Sequence, residues 1–179
     1  MITVISSTNR PQSNTAKIAA LAVAGLRRAD EEVRLLDLTE LPHELFNGGS
    51  YSEKPAGFHS FQEAILDADG ILSVVPEYNG AYPGVMKYFI DMLQFPDSLY
   101  EKPAAFIGLS AGPWGAVRAV EQLEMVFQYR HAHLFGRRLF LPNVGACLDD
   151  AEQINDLSLA KRLDEMLKGF VEFCGCLKD

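Results

Sequence analysis

No stretch of this chain is apolar for the roughly 18–20 residues that a membrane span needs. Its start, MITVISSTNR, lacks the basic segment of a secretory leader. The sequence is therefore read as cytoplasmic, with no membrane partner. Basic charge is also scarce: 16 Lys and Arg stand against 24 Asp and Glu, a net charge of −8. Nucleic acid and anionic membranes reward a basic surface, so no nucleic acid partner is expected. A small anion is not excluded, because a few local donors can hold a phosphate on an acidic protein. Cysteine is limited to Cys147, Cys174 and Cys176, an odd number without zinc spacing. They are read as reduced thiols with no metal role. His131 and His133 in HAH have no evident third ligand, so no metal is expected there either.

What is present is alternation. Short apolar runs rich in β-branched residues occur at residues 2–7, 32–38, 70–75, 103–110 and 137–144. Between them lie segments with helical spacing: Ile18, Leu21, Ala22 and Leu26, then Phe58, Phe61 and Ile65, then residues 81–95 and 116–129. A last helix is expected from about Glu152, with Leu163, Leu167, Phe170, Val171 and Cys174 on one face. Strands apolar on both faces, each followed by a helix, imply a parallel sheet covered on both sides. Five strands in 179 residues predict a single α/β domain over 1–179, a three-layer sandwich of flavodoxin-like strand order 2-1-3-4-5. The long Pro/Gly/Ser-containing segment 39–57 is expected to be an irregular loop.

In such a sheet a ligand sits beyond the carboxyl ends of the strands, where strand order reverses. Three loops reach that place. The first, STNRPQSNT, has no glycine, which excludes a Walker A loop and a G-x-G-x-x-G turn. It offers hydroxyls (Ser7, Thr8, Ser13, Thr15), amides (Asn9, Asn14) and the Arg10 guanidinium, just before a helix N-terminus. These groups suit a phosphate, and equally an ordinary polar loop with Ser13 or Asn14 as helix cap. The second, PEYNGAYPG, combines two prolines that stiffen the backbone with two glycines that free it. Pro76, Glu77, Tyr78 and Asn79 can wall a flat aromatic ligand, or simply turn a strand into a helix with Pro83 near its start. The third, SAGPWG, carries Ser110, Gly112 and the single tryptophan, Trp114, which suits either ligand shielding or packing at an interface. Arg118 is read as a surface or interface ion pair.

At these residues the sequence resembles the NADPH-dependent FMN reductases. Residues 7–15 resemble their phosphate motif G-S-x-R-x-x-S-x-N, with Ser7 in place of Gly and Thr15 in place of Asn. PEYN followed by Pro83-Gly84 matches their P-E-Y-N-x-x-x-P-G in full, and the resemblance runs from about Ile2 to Val144. It implies FMN as cofactor and NADPH or NADH as hydride donor. The implied cofactor-binding residues are Thr8, Arg10, Ser13, Asn14 and Thr15 at the phosphate, Pro76, Glu77, Tyr78 and Asn79 at the ring, and Ser110 and Gly112 opposite. No catalytic side chain is implied, because the flavin carries the hydride. The implied partner is a small-molecule electron acceptor: a flavin, a quinone, an azo or nitro compound, or a metal oxyanion. A homodimer or homotetramer is also implied. The apolar helices at 85–95 and 116–129, hydrophobic on more than one face, independently point to such an interface.

Two other readings remain open on sequence. A flavodoxin-type electron carrier would bind FMN without NAD(P)H reductase activity. GLSAG, residues 108–112, fits the G-x-S-x-G of a serine hydrolase. That reading needs an acid and then a His downstream, and His131 and His133 follow only Glu121 and Glu124.

Overall fold

Residues 1–178 are described by a computed structural model. Strand β1 (Ile2–Ser6) is buried along its whole length, as its apolar run requires. Helix α1 (Asn14–Arg28) follows it. Ser13 caps that helix by accepting a hydrogen bond from the Ala16 N–H, and Arg27 and Arg28 complement its C-terminal dipole. Then come β2 (Val33–Asp37), α2 (His59–Leu66) and β3 (Gly70–Pro76). Helix α3 (Gly84–Met92), β4 (Pro103–Leu109) and α4 (Val117–Tyr129) continue the alternation. The chain closes with β5 (His133–Leu134), β6 (Leu139–Leu141), the short α5 (Val144–Cys147) and the long α6 (Leu157–Cys176).

The strands are parallel, in the order β2-β1-β3-β4-β5, with β6 also paired to β4. The expected order therefore holds. The fifth position, expected as one strand over 137–144, is divided. His133–Leu134 pairs with Pro103–Ala104, and Leu139–Leu141 pairs with Ile107–Leu109. Between them Phe135 turns toward α6, its ring 5.9 Å from Phe170 and 5.4 Å from Phe173. An edge strand has a neighbour on one side only, so leaving the sheet to bury an aromatic ring sacrifices few ladder bonds. Pro142 and Asn143, the latter at φ 48°, then end the strand and start α5. The last helix begins at Leu157, not near Glu152, because Asp156 is its cap and accepts from the Ser158 and Leu159 N–H groups.

Two cores flank the sheet. Ile5, Leu36, Ile71, Val75 and Phe106 meet α2, α3 and α4. Ile2, Val4, Leu72, Val74 and Ile107 meet α1 and α6 on the other face. The segment 39–57 is not structureless. With its borders it holds four 3-10 turns, Leu38–Glu40, His43–Phe46, Gly48–Tyr51 and Ala56–Phe58, and buries Leu38, Leu41 and Leu45 in the first core.

The thiols differ sharply in setting. Cys174 is buried under Gly70, and burial pushes its pKa up to about 12. Cys147 is buried and donates to the Pro142 carbonyl at 3.0 Å, and burial raises its pKa as well. Cys176 is exposed. Since the thiolate is the reactive form, one thiol per chain should react with Ellman's reagent at neutral pH, and all three after denaturation. Three fast native thiols would contradict this packing.

Candidate functional site

The switch point of the sheet lies between β1 and β3, where the chain leaves β1 for β2 and returns on the other side. A cleft of about 450 Å³ opens there, within the roughly 300–1,000 Å³ usual for small-molecule sites. All three loops reach it.

From the first loop, Arg10, Ser13, Asn14 and Thr15 line the cleft, together with Pro11 and Gln12. The first N–H groups of α1 have no intrahelical acceptor, and Ser13 satisfies only that of Ala16. No acidic side chain stands in the first turn, so the positive end of the helix is left uncompensated. The Arg10 guanidinium makes no ion pair among the described residues. The chemistry of these groups suits an anion.

Thr8 is placed differently. It is fully buried and does not line the cleft. Its hydroxyl shares a hydrogen bond of 2.8 Å with the Tyr78 hydroxyl and accepts one of 3.2 Å from the Arg10 N–H. Ser7, where the motif has Gly, is also fully buried, its N–H donating to the Val74 carbonyl at 3.1 Å.

From the second loop, Pro76, Glu77 and Tyr78 form the wall. Tyr78 and Ala81 exchange backbone hydrogen bonds of 2.8 and 3.1 Å around Asn79 and Gly80. Asn79 at φ 52° and Gly80 at φ 77° both adopt the left-handed conformation, as the Asn-Gly pair of a tight hairpin turn requires. Asn79 consequently sits at the exposed tip and does not line the cleft. The Gln122 side chain donates to the Gly80 carbonyl at 3.2 Å and ties that tip to α4. Glu77 Oε2 is buried without a hydrogen-bond partner, while the Glu77 N–H is used by the Leu109 carbonyl. Glu77 lines the cleft, so a ligand bearing a donor could satisfy that oxygen.

From the third loop, Leu109, Ser110 and Ala111 complete the lining. Gly112 stands just outside it and accepts from the Ser110 hydroxyl at 3.0 Å. Val144 also faces the cleft, a residue that sequence reasoning missed. The backbone brings it there: Asn143 N–H donates to Gly112 and Val144 N–H to Ser110, at 3.0 and 2.9 Å. No local signal in PNVGA announces that contact. Trp114 is exposed, and Arg118 is exposed without an ion pair among the described residues.

The hydrolase reading fails on geometry. His133 pairs with Pro103 at the start of β4, whereas Ser110 follows its end. Seven residues of strand separate them, roughly 20 Å at about 3.3 Å per residue. His131 lies at the same far end, packed against Tyr100.

A larger hollow, about 700 Å³, lies between α3 and α4. It is flanked by exposed Phe95, Met125 and Tyr129, with an ion pair of Lys87 and Asp91 at 2.6 Å. It includes Tyr82 of the second loop but shares no lining residue with the switch-point cleft. Among the described residues no group of His, Cys, Asp and Glu could hold a metal ion, and no helix is long and apolar enough to cross a membrane.

The chain is 36% identical to a 2-hydroxy-1,4-benzoquinone reductase of a Burkholderia species, over 70% of this chain and 68% of the relative. It is 33% identical to an NAD(P)H-dependent FMN reductase of Pseudomonas aeruginosa, over 74% and 72% of the two chains. Among solved structures it is similar to FerB, a flavoenzyme NAD(P)H:(acceptor) oxidoreductase of Paracoccus denitrificans. The TM-score is 0.82 at 25% identity, covering 97% of this chain and 96% of that one. The profile of the NADPH-dependent FMN reductases matches residues 1–145, and the chain belongs to that family.

Proposed function

We propose that the switch-point cleft holds FMN and that the protein passes electrons from NAD(P)H through it to a small acceptor, with a quinone as the first class to test. One observation carries this reading. An uncompensated helix N-terminus, a free Arg10 and a buried, unpartnered Glu77 oxygen meet in a single cleft. FMN has the matching groups, a phosphate and a flat ring whose imide edge offers an N–H donor. Arg10, Ser13, Asn14 and Thr15 would hold the phosphate; Pro76, Glu77 and Tyr78 would bear on the ring, with Ser110 across from them. Asn79 and Gly112 would act through the shape of their loops, since neither lines the cleft. The chemistry FMN supplies when bound is hydride uptake from NAD(P)H and delivery of the electrons to the acceptor. The protein's part is to orient the ring and leave one face open, so that donor and acceptor stack in turn. The 2-hydroxy-1,4-benzoquinone reductase among the relatives supports a quinone.

The test is an absorption spectrum after loading with FMN and desalting, followed by anaerobic NADPH, NADH and then a benzoquinone. Retained flavin bands should bleach within seconds and return on adding the quinone. Bands that persist under both nucleotides would instead identify an electron carrier, and absent bands would remove FMN from the cleft.

The same reading includes a homo-oligomer, dimer or tetramer, assembled through the hollow between α3 and α4. The exposed side chains Phe95, Met125 and Tyr129, 63–75% accessible, are the apolar groups a second copy would cover. Light scattering over a dilution series should give a multiple of the chain mass. A double substitution Met125→Glu and Tyr129→Glu should give the monomer with its fold intact. A monomer at every concentration would refute the interface.

A further inference from the structure

We propose that Thr8 and Tyr78 act as a positioning pair, a single hydrogen bond that locks the anion loop to the ring wall so that the two are set together. This rests on the FMN reading above. The two residues are 70 positions apart in sequence and 2.8 Å apart at their hydroxyls. Thr8 is fully buried, and its hydroxyl meets Tyr78, which lines the cleft. It meets two elements at once: the Arg10 N–H, which it accepts at 3.2 Å, and the Tyr78 hydroxyl. On the far side Tyr78 is fixed by its turn, through the paired bonds to Ala81, and the turn by Gln122. The clasp therefore joins the loop after β1, the 76–84 loop and α4 in one chain of contacts. Cutting it frees the backbone that carries Arg10 and the ring that Tyr78 presents to the cleft. Thr8 is then a positioning residue.

The measurement is the dissociation constant of FMN and of riboflavin, by flavin fluorescence, for the full chain carrying Thr8→Val, Tyr78→Phe, both, or Thr8→Ser. One net hydrogen bond is worth about 1 kcal/mol, so each single loss should weaken FMN about fivefold to tenfold. Riboflavin should weaken by a similar factor, because the clasp sets the ring wall as well. The double variant should be no more than about twofold worse than Thr8→Val, which already removes the shared bond together with the acceptor of the Arg10 N–H. Thr8→Ser, which keeps the hydroxyl, should restore affinity. The absorption band of bound flavin should shift alike in Thr8→Val and Tyr78→Phe, which general loosening of the fold would not produce. Thr8→Val that weakens FMN and spares riboflavin would make Thr8 a direct phosphate ligand and overturn the proposal. So would additive losses in the double variant, or no loss in Tyr78→Phe. A wild-type chain that binds neither flavin would sink the cofactor reading itself, and the clasp's role with it, before any variant is compared.

Discussion

Replacing Arg10 by Ala should weaken FMN about tenfold to thirtyfold and leave riboflavin, which has no phosphate, within about twofold. A hydrogen bond to a charged group is worth about 1.5–3 kcal/mol, and each 1.4 kcal/mol is tenfold in affinity. The lower part of that range applies because Arg10 is exposed and water screens its charge. It lines the cleft and makes no ion pair among the described residues, so its charge is available to an incoming anion. For the same reason the wild-type affinity for FMN should fall with added salt, and less steeply in the variant. Arg10→Lys keeps the charge and loses the planar fork, so it should fall between the two. The remaining affinity of Arg10→Ala reports the helix N-terminus, which the substitution does not touch. Equal weakening of FMN and riboflavin would show that Arg10 shapes the loop and does not meet the phosphate.

The contrast between Arg10 and Thr8 shows what could be read from the chain before its fold. Alternating apolar runs and helical spacing were enough for the sheet order, because a strand buried on both faces such as GILSVV has few other places to go. That order in turn placed the three loops at one end. The PEYN turn was legible for a local reason: Asn79-Gly80 needs two left-handed residues, and proline on either side limits the alternatives. Non-local contacts were not legible. Nothing in the spacing of residues 7–15 indicates that Thr8 is turned toward Tyr78 while Thr15 faces the cleft. Val144 enters the lining only because the edge of the sheet breaks at Phe135 and resumes at Leu139. That break is decided by the rings of Phe170 and Phe173, some 35 residues later. The unpaired Glu77 oxygen was likewise invisible, since partnership is a property of the packed chain.

GLSAG illustrates the same point, and it carries the largest expected loss of stability. Replacing Gly108 by Ala should destabilise the fold by about 3 kcal/mol, the upper end of what overpacking usually costs. A Cβ at Gly108 would lie 2.6 Å from the Gly115 carbonyl oxygen and 2.8 Å from Phe140 Cδ1. The Phe140 ring has room to turn, but the carbonyl is backbone. It belongs to a segment held at both ends, by Gly115 at φ 60° and by the Asn143 and Val144 hydrogen bonds to the loop before it. Relief therefore requires moving the third wall of the cleft. For a chain of this size, 3 kcal/mol lowers the melting temperature by roughly 6–12 °C. Urea unfolding of the cofactor-free protein should show a lower midpoint at unchanged slope. Ser110→Ala, in the middle of the same motif, removes one hydrogen bond to the Gly112 carbonyl and should change stability by no more than about 1 kcal/mol. A nucleophile elbow would make Ser110 the indispensable residue. In this fold the glycine before it is the one that cannot change, because it lets the loop rest on β4. Gly108→Ala that melts like the wild type would mean that the 110–115 loop moves freely, and that the cleft has one wall fewer than its geometry implies.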